Sequence, residues 1–128
     1  MTRKAVTHED LDVYKRAFTL AMEIFEASKT FPSYERYSLT DQIRRSSRSV
    51  CANLAEAWRK RRYRAAFICK LCDVEAELAE TQCWLRFAVS CAYLDPEKAQ
   101  HLHTSYNAVA STLVNMILHA DDWLLPRP

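Results

Sequence analysis

The chain has no glycine among its 128 residues, where average usage is about 7%. Glycine takes φ > 0 without steric cost, and two-residue hairpins, bulges and phosphate-cradling loops depend on that freedom. A glycine-free chain is therefore a poor candidate for a sheet built from hairpins. It also has no GxxxxGK or GxGxxG nucleotide cradle. Long helices joined by short links are the natural alternative.

A chain of this length fits one domain, here residues 1–128, and such a domain buries roughly two-thirds of its unfolded surface without metal or disulfide support. Hydrophobic residues make up 49%, charged residues 27%, and the net charge is +2. Disorder requires lower hydrophobicity and a larger charge imbalance. No run of 18 apolar residues occurs, so no transmembrane helix is expected. No N-terminal apolar segment resembles a signal peptide, so a cytoplasmic location is expected. The five cysteines are odd in number and lie within helical patterns, which fits reduced thiols.

Apolar periodicity predicts four helices, roughly 8–28, 39–60, 64–93 and 96–124, in an all-α, antiparallel up-down four-helix bundle. Thr7 precedes the first as N-cap, with Glu9 and Asp10 in its first turn. Leu11, Tyr14, Phe18, Ala21 and Phe25 form one row, and Val13, Ala17, Leu20 and Ile24 a second beside it. Phe31-Pro32 ends this helix, because the residue before proline disfavours αR. Ser38, with Asp41 three residues on, reads as the cap of the second helix. Its core row is Leu39, Ile43, Val50, Leu54 and Ala57, with Trp58 at the margin. The apolar period is lost over Lys60 to Tyr63.

The third helix shows Ile68, Leu71, Leu78, Leu85 and Val89 in one row and Cys72, Ala76, Ala79, Cys83 and Phe87 in another. A helix apolar over more than half its circumference has to be covered on two sides. This predicts a subunit contact through the third helix and the doubly striped first helix. Asp95-Pro96-Glu97 opens the fourth helix with an N-cap, proline at N1 and an acid at N2. Leu102, Tyr106, Val109, Leu113, Met116, Ile117, Ala120 and Leu124 carry it to Pro126 and Pro128.

The small net charge hides an asymmetry. Between Leu39 and Arg64 lie eight basic residues, Arg44, Arg45, Arg48, Arg59, Lys60, Arg61, Arg62 and Arg64, opposed only by Asp41 and Glu56. On a helical projection Arg44, Arg48, Arg59 and Arg62 share one arc, opposite Ile43, Val50 and Leu54. One reading is a solvated face with some arginines paired to neighbouring acids. The other is a polyanion site, since arginine's planar fork matches phosphate. Tyr63 and Trp58 are near enough in sequence to stack on bases.

Catalytic chemistry is harder to place. Cys69 and Cys72 have CxxC spacing, but no second pair accompanies them for zinc, and they sit inside a helix, where small core residues are the plain reading. Glu97 and His101 share a face, yet no Glu-x-x-His motif of a bundle di-iron site occurs. His8 falls in the first helical turn and is expected to be exposed, while His101, His103 and His119 read as surface or boundary residues. Glu75 and Gln82 enter the apolar arc of the third helix and call for structural partners, such as an arginine of the second helix or a tyrosine hydroxyl. Ser46, Ser47 and Ser49 have no histidine neighbour in sequence. A non-enzyme with no metal or cofactor is expected.

Finally, Leu11-Asp12-Val13-Tyr14-Lys15, Phe31-Pro32, Glu35-Arg36-Tyr37-Ser38-Leu39, Gln42-Ile43-Arg44-Arg45-Ser46-Ser47, Ser49-Val50-Cys51-Ala52-Asn53-Leu54-Ala55-Glu56 and Glu80-Thr81-Gln82 form a long pattern. It resembles the bacterial four-helix bundle proteins encoded by intervening sequences in large-subunit ribosomal RNA genes, over about two-thirds of the chain. The resemblance implies an antiparallel bundle assembled as a homopentamer around a central channel. It also implies kinship with the accessory variability protein of diversity-generating retroelements, which pairs with a reverse transcriptase and binds nucleic acid through basic surface. Partners would then be further copies of the chain, RNA or DNA, or a nucleic-acid-processing protein. The motif's arginines are Arg44 and Arg45, and its Asn-x-Ala-Glu element is Asn53, Ala55 and Glu56. Family members usually place glycine next, where this chain has Ala57.

Overall fold

A computed structural model describes residues 5–126, and within them every regular element is helical. The four main helices are α1 (Asp12–Ser28), α2 (Asp41–Arg59), α3 (Arg64–Ser90) and α4 (Pro96–Leu118). They run up and down in order, with α2 against α3 as the most extensive contact and α1 closing the bundle against α4. The chain is the antiparallel four-helix bundle expected of it.

Heptad spacing explains the core. Val13, Ala17, Leu20 and Ile24 of α1 recur every three or four residues and are buried. The same rhythm runs through Leu71, Val74, Leu78, Leu85 and Ala88 of α3, and through Leu102, Tyr106, Val109, Leu113 and Met116 of α4. Such seams pack knobs into holes at shallow crossing angles. On α2 the small residues Ser46, Ser47 and Ala57 are buried beside Ile43, Val50 and Leu54, which lets α2 and α3 approach closely. The hydroxyls of Ser46 and Thr81 bond each other at 2.8 Å across that contact.

Several boundaries differ from expectation for local reasons. Thr7 does cap, but it caps a 3₁₀ turn over His8–Asp10, in a capping box with Asp10; α1 proper begins after extended Leu11. His8 is half-buried because its ring packs on Tyr14, with centroids 4.8 Å apart. Ser38 is not the cap of α2. It lies inside a π turn, Arg36–Thr40, that runs directly into α2, and its hydroxyl donates to Glu35. Helix α3 stops at Ser90 rather than near Tyr93, because Ala92 turns into the left-handed region at φ 62°. Asp95 caps α4 as expected, its carboxylate accepting from the amides of Glu97 and Lys98. Helix α4 ends at Leu118, and a 3₁₀ turn, Ala120–Trp123, follows. Pro126 lies beyond it, and Pro128 falls outside the described residues.

The two apolar rows of α1 separate. The Val13 row is core, while Tyr14 and Phe25 are half-buried and Phe18 is exposed. In α3 Leu71, Leu78 and Leu85 are buried, Ile68 and Val89 half-buried, and the Cys72–Phe87 row lies outside.

Candidate nucleic-acid interface

The eight basic residues of the 39–64 segment do not form one face. Helix α2 ends at Arg59 and the chain turns over residues 60–63, so Arg62 leaves the helical arc projected for it. The structure sorts the eight into three groups with different physical roles.

Arg45, Arg61 and Arg64 bind their own chain. Arg45 reaches across to α3, 2.6 Å from a Glu80 carboxylate oxygen and 3.9 Å from Glu77. Arg61 is the most constrained: its Nε donates to the Trp58 carbonyl at 2.8 Å, and its guanidinium lies 3.4 Å from the Trp58 ring centroid. Its Nη1 also donates to the Trp123 carbonyl, and its own carbonyl accepts from the Leu125 amide. Desolvation pulls the Arg61 pKa below its ordinary value. Arg64 pairs with Asp121 at 2.9 Å. Together Arg61 and Arg64 tie the C-terminal turn to the α2–α3 connection. Trp58, expected as a stacking platform, is buried and covered by Arg61.

Arg44 and Arg48 lie toward α1. Their guanidinium carbons sit 4.9 and 5.6 Å from the Phe25 ring centroid, and Arg44 Nε donates to Ser28 Oγ at 2.7 Å. Phe25, on the outer row of α1, is thus covered by cations rather than by apolar core. Arg48 remains exposed, but it is separated from Arg59 by 11 helical positions, roughly 16 Å along the axis.

Arg59, Lys60 and Arg62 remain. All three are exposed, and none has an ion pair among the described residues. Tyr63 follows them with 72% of its surface exposed. Three free cations and a free aromatic ring therefore share one turn at the end of the bundle. A shallow groove lined by His8, Ala55, Glu56, Arg59 and Lys60 lies alongside. Glu56 is occupied by Lys70 at 3.5 Å, so it does not neutralise the turn.

Among the other polar candidates, Cys69, Cys72, Glu75 and Gln82 resolve differently from expectation, while His101 is at the surface as expected. Cys69 and Cys72 are exposed on the outer side of α3, not core residues. Burial cost, then the nearby Glu75, raises the Cys72 thiol pKa, which disfavours the thiolate that redox or metal chemistry needs. Glu75 is half-buried and has no hydrogen bond or ion pair among the described residues; the arginine of α2 goes to Glu80 and Glu77 instead. Gln82 donates to the His103 carbonyl and to Asn107, not to a tyrosine. His101 approaches Glu23 at 3.4 Å, beside Lys98 at 2.8 Å. Among the described residues no group of three or more His, Cys, Asp or Glu side chains is placed to hold a metal ion.

Sequence reading missed a cluster at the opposite end. Tyr93 donates to Glu35 at 2.9 Å, with the Tyr34 hydroxyl 3.3 Å away, and Ser38 donates to the same glutamate. These bonds, Ser38's first, hold the Glu35 carboxyl below its ordinary range. The cluster joins the α1–α2 connection to the α3–α4 turn. Glu35 and Ser38 belong to the motif that carries the family resemblance, so part of that motif is a structural clamp.

The model of the 23S rRNA-intervening sequence protein family matches residues 9–115. The chain belongs to that family. Among solved structures it is similar to a protein of unknown function from the S23 ribosomal protein family of Bacteroides thetaiotaomicron, solved at 1.70 Å resolution. That likeness has a TM-score of 0.74 and 26% identity, over 82% of this chain and 97% of the other. No curated protein matches the chain. No helix of the described residues is long and apolar enough to cross a membrane.

Proposed function

We propose that this family member is a non-catalytic, oligomeric helical bundle that binds RNA through its α2–α3 turn. The observation that carries the reading is the set of exposed, unpaired cations Arg59, Lys60 and Arg62 with Tyr63 beside them. Free cations on a turn can follow a phosphate backbone, and an exposed ring can stack on an unpaired base. Five subunits is the number that the family resemblance implies, and each copy would add its own basic turn.

A second reading has its own support. Arg45, Arg61 and Arg64 are spent on intrachain bonds, which favours a scaffold whose arginines are structural and whose partner is a protein. Light scattering with and without a short single-stranded RNA separates the two. RNA uptake at low salt that disappears at high salt is expected, because phosphate neutralisation releases counterions. An assembly that ignores RNA at every salt concentration would overturn the RNA reading and leave the scaffold.

A further inference from the structure

The run from Arg59 to Arg64 holds five cations and one tyrosine. Three of the five, Arg59, Lys60 and Arg62, are free, and two are held. Both held cations touch one element, the C-terminal turn. Arg61 donates to the Trp123 carbonyl, and its own carbonyl accepts from the Leu125 amide. Arg64 donates to the Asp121 carboxylate, 57 residues away in sequence.

The two grips differ in kind. Arg61 is half-buried, stacked on Trp58 and bonded to two carbonyls, so it is built into the fold. Arg64 and Asp121 instead keep 59% and 76% of their side-chain surface in solvent. Their bond uses Nε alone, at 2.9 Å, and neither Nη of Arg64 has a hydrogen bond among the described residues. The bidentate fork that makes arginine–carboxylate pairs strong is not formed. An exposed, single-point pair contributes little to stability. The C-terminal turn has other anchors, since Trp123 and Leu124 pack against the core.

What the pair does change is the charge of the surface. Arg64 directly follows exposed Tyr63 and opens α3, whose first turn has no acid of its own and whose N-cap makes no side-chain cap bond. The carboxylate beside Arg64 is therefore brought in by the C-terminal turn. A carboxylate and a backbone phosphate are both anionic oxygen acceptors for the same guanidinium. Asp122, next along the turn, is exposed and has no ion pair among the described residues. Of the two acids, only Asp121 occupies a cation of the run.

We propose that Asp121 is an internal competitor for RNA phosphate. It holds Arg64 out of the basic turn, and neutralising it adds Arg64 to Arg59, Lys60 and Arg62 as a fourth phosphate-binding cation. Lifting the C-terminal turn releases the same cation, which makes that turn a brake on the site. The inference rests on the RNA reading above and names an intramolecular control of that surface.

Fluorescence anisotropy of a labelled single-stranded RNA, titrated at several salt concentrations, tests it. Asp121→Asn is expected to bind about fivefold more tightly than the native chain near 0.1 M salt and to steepen the log–log salt slope by roughly 0.7, the share of one phosphate contact. Arg64→Ala in the native chain is expected to change affinity by less than about twofold, because Arg64 is not free to begin with. Combined with Asp121→Asn, it is expected to abolish the gain. Asp122→Asn removes the same charge but frees no arginine, so its slope is expected to stay native. Equal steepening by the two asparagine variants, or a gain that survives Arg64→Ala, would reduce the effect to net charge and overturn the competition. A melting temperature of Asp121→Asn well below that of the native chain would also overturn it, since the pair would then be fastening the turn. RNA binding by the native chain that Asp121→Asn leaves unmoved sinks the competition alone. Binding by neither chain sinks the RNA reading and the competition with it.

Discussion

Ala92 is where the missing glycine is felt. Its φ of 62° is the only positive value among the described non-glycine residues. It occupies the position after the α3 C-cap, with the Tyr93 amide donating to the Ala88 carbonyl and the Ala92 amide to that of Val89. That paired pattern is the Schellman ending, for which glycine is the usual residue. Alanine there carries a steric cost of about 1 kcal/mol. Ala92→Gly is therefore expected to stabilise the chain, by roughly 0.5 kcal/mol after the entropy that glycine adds to the unfolded state. Denaturant unfolding reads this directly, and a loss of stability would mean that the left-handed turn is not formed. Cys51 supplies a pH dependence. Burial pushes its thiol up to about 11, from an ordinary value of 9.0. The folded state therefore holds a proton that the unfolded state releases. The stability this represents is present below pH 9.0 and is lost as pH rises toward about 11. Unfolding measured across that window is expected to show the decline, and Cys51→Ala should flatten it. An equal decline in the variant would assign the effect to other groups, Tyr106 and Tyr14 first, whose burial also raises their pKa values.

Elements differ in how clearly their sequences announce them. Helix α4 was legible at its start and along its core row, because Asp95-Pro96 is a strong start and Leu102, Tyr106, Val109 and Leu113 keep a strict rhythm, but its end was not: it stops at Leu118, and Ala120 and Leu124 lie in and after a 3₁₀ turn rather than in the helix. The cap accepts two amide bonds, so Asp95→Ala is expected to cost about 1 kcal/mol. In a domain of this size that lowers Tm by about 4 °C, which a thermal melt checks; no change would mean that the first turn of α4 holds without its cap. The start of α2 was not legible. Ser38 and Asp41 look like a cap from local spacing alone, but the decisive partner is Tyr93, distant in sequence, whose bond to Glu35 holds the π turn. Helix α3 shows the limit of periodicity in another way. Its two apolar rows are equally regular, and only packing against α2 and α4 decides that Leu71, Leu78 and Leu85 go inside while Cys72 and Ala79 go outside. The same ambiguity placed Cys69 and Cys72 in the core, where the structure does not. Arginine positions were legible as a count and not as a surface. Pairing with Glu80, Trp58 and Asp121 depends on which residues fold nearby, and the end of α2 at Arg59 broke the projected arc.

At the scale of the whole molecule, this division of the arginines separates folding from binding. Arg45, Arg61 and Arg64 hold α3 and the C-terminal turn in place, whereas Arg59, Lys60 and Arg62 touch nothing charged among the described residues. Replacing Arg59, Lys60 and Arg62 together with alanine should leave the melting temperature within a degree or two, since exposed unpaired side chains contribute little to stability. The same variant should weaken binding to single-stranded RNA and reduce the slope of log affinity against log salt by about 2, roughly 0.7 for each phosphate no longer neutralised. Arg61→Ala should do the reverse. It removes a hydrogen bond and a stacked cation from a half-buried site, and is expected to cost roughly 2 kcal/mol while leaving the salt slope unchanged. Arg61→Lys should not restore it, because an ammonium cannot both stack flat on Trp58 and donate sideways to the carbonyl. Paired melting curves and salt titrations on these variants give two axes. Points falling along separate axes would show that the turn is a surface free to bind, as proposed. If the triple alanine variant lost stability instead, the three cations would belong to an interface between copies, and the basic turn would be part of the assembly rather than its ligand site.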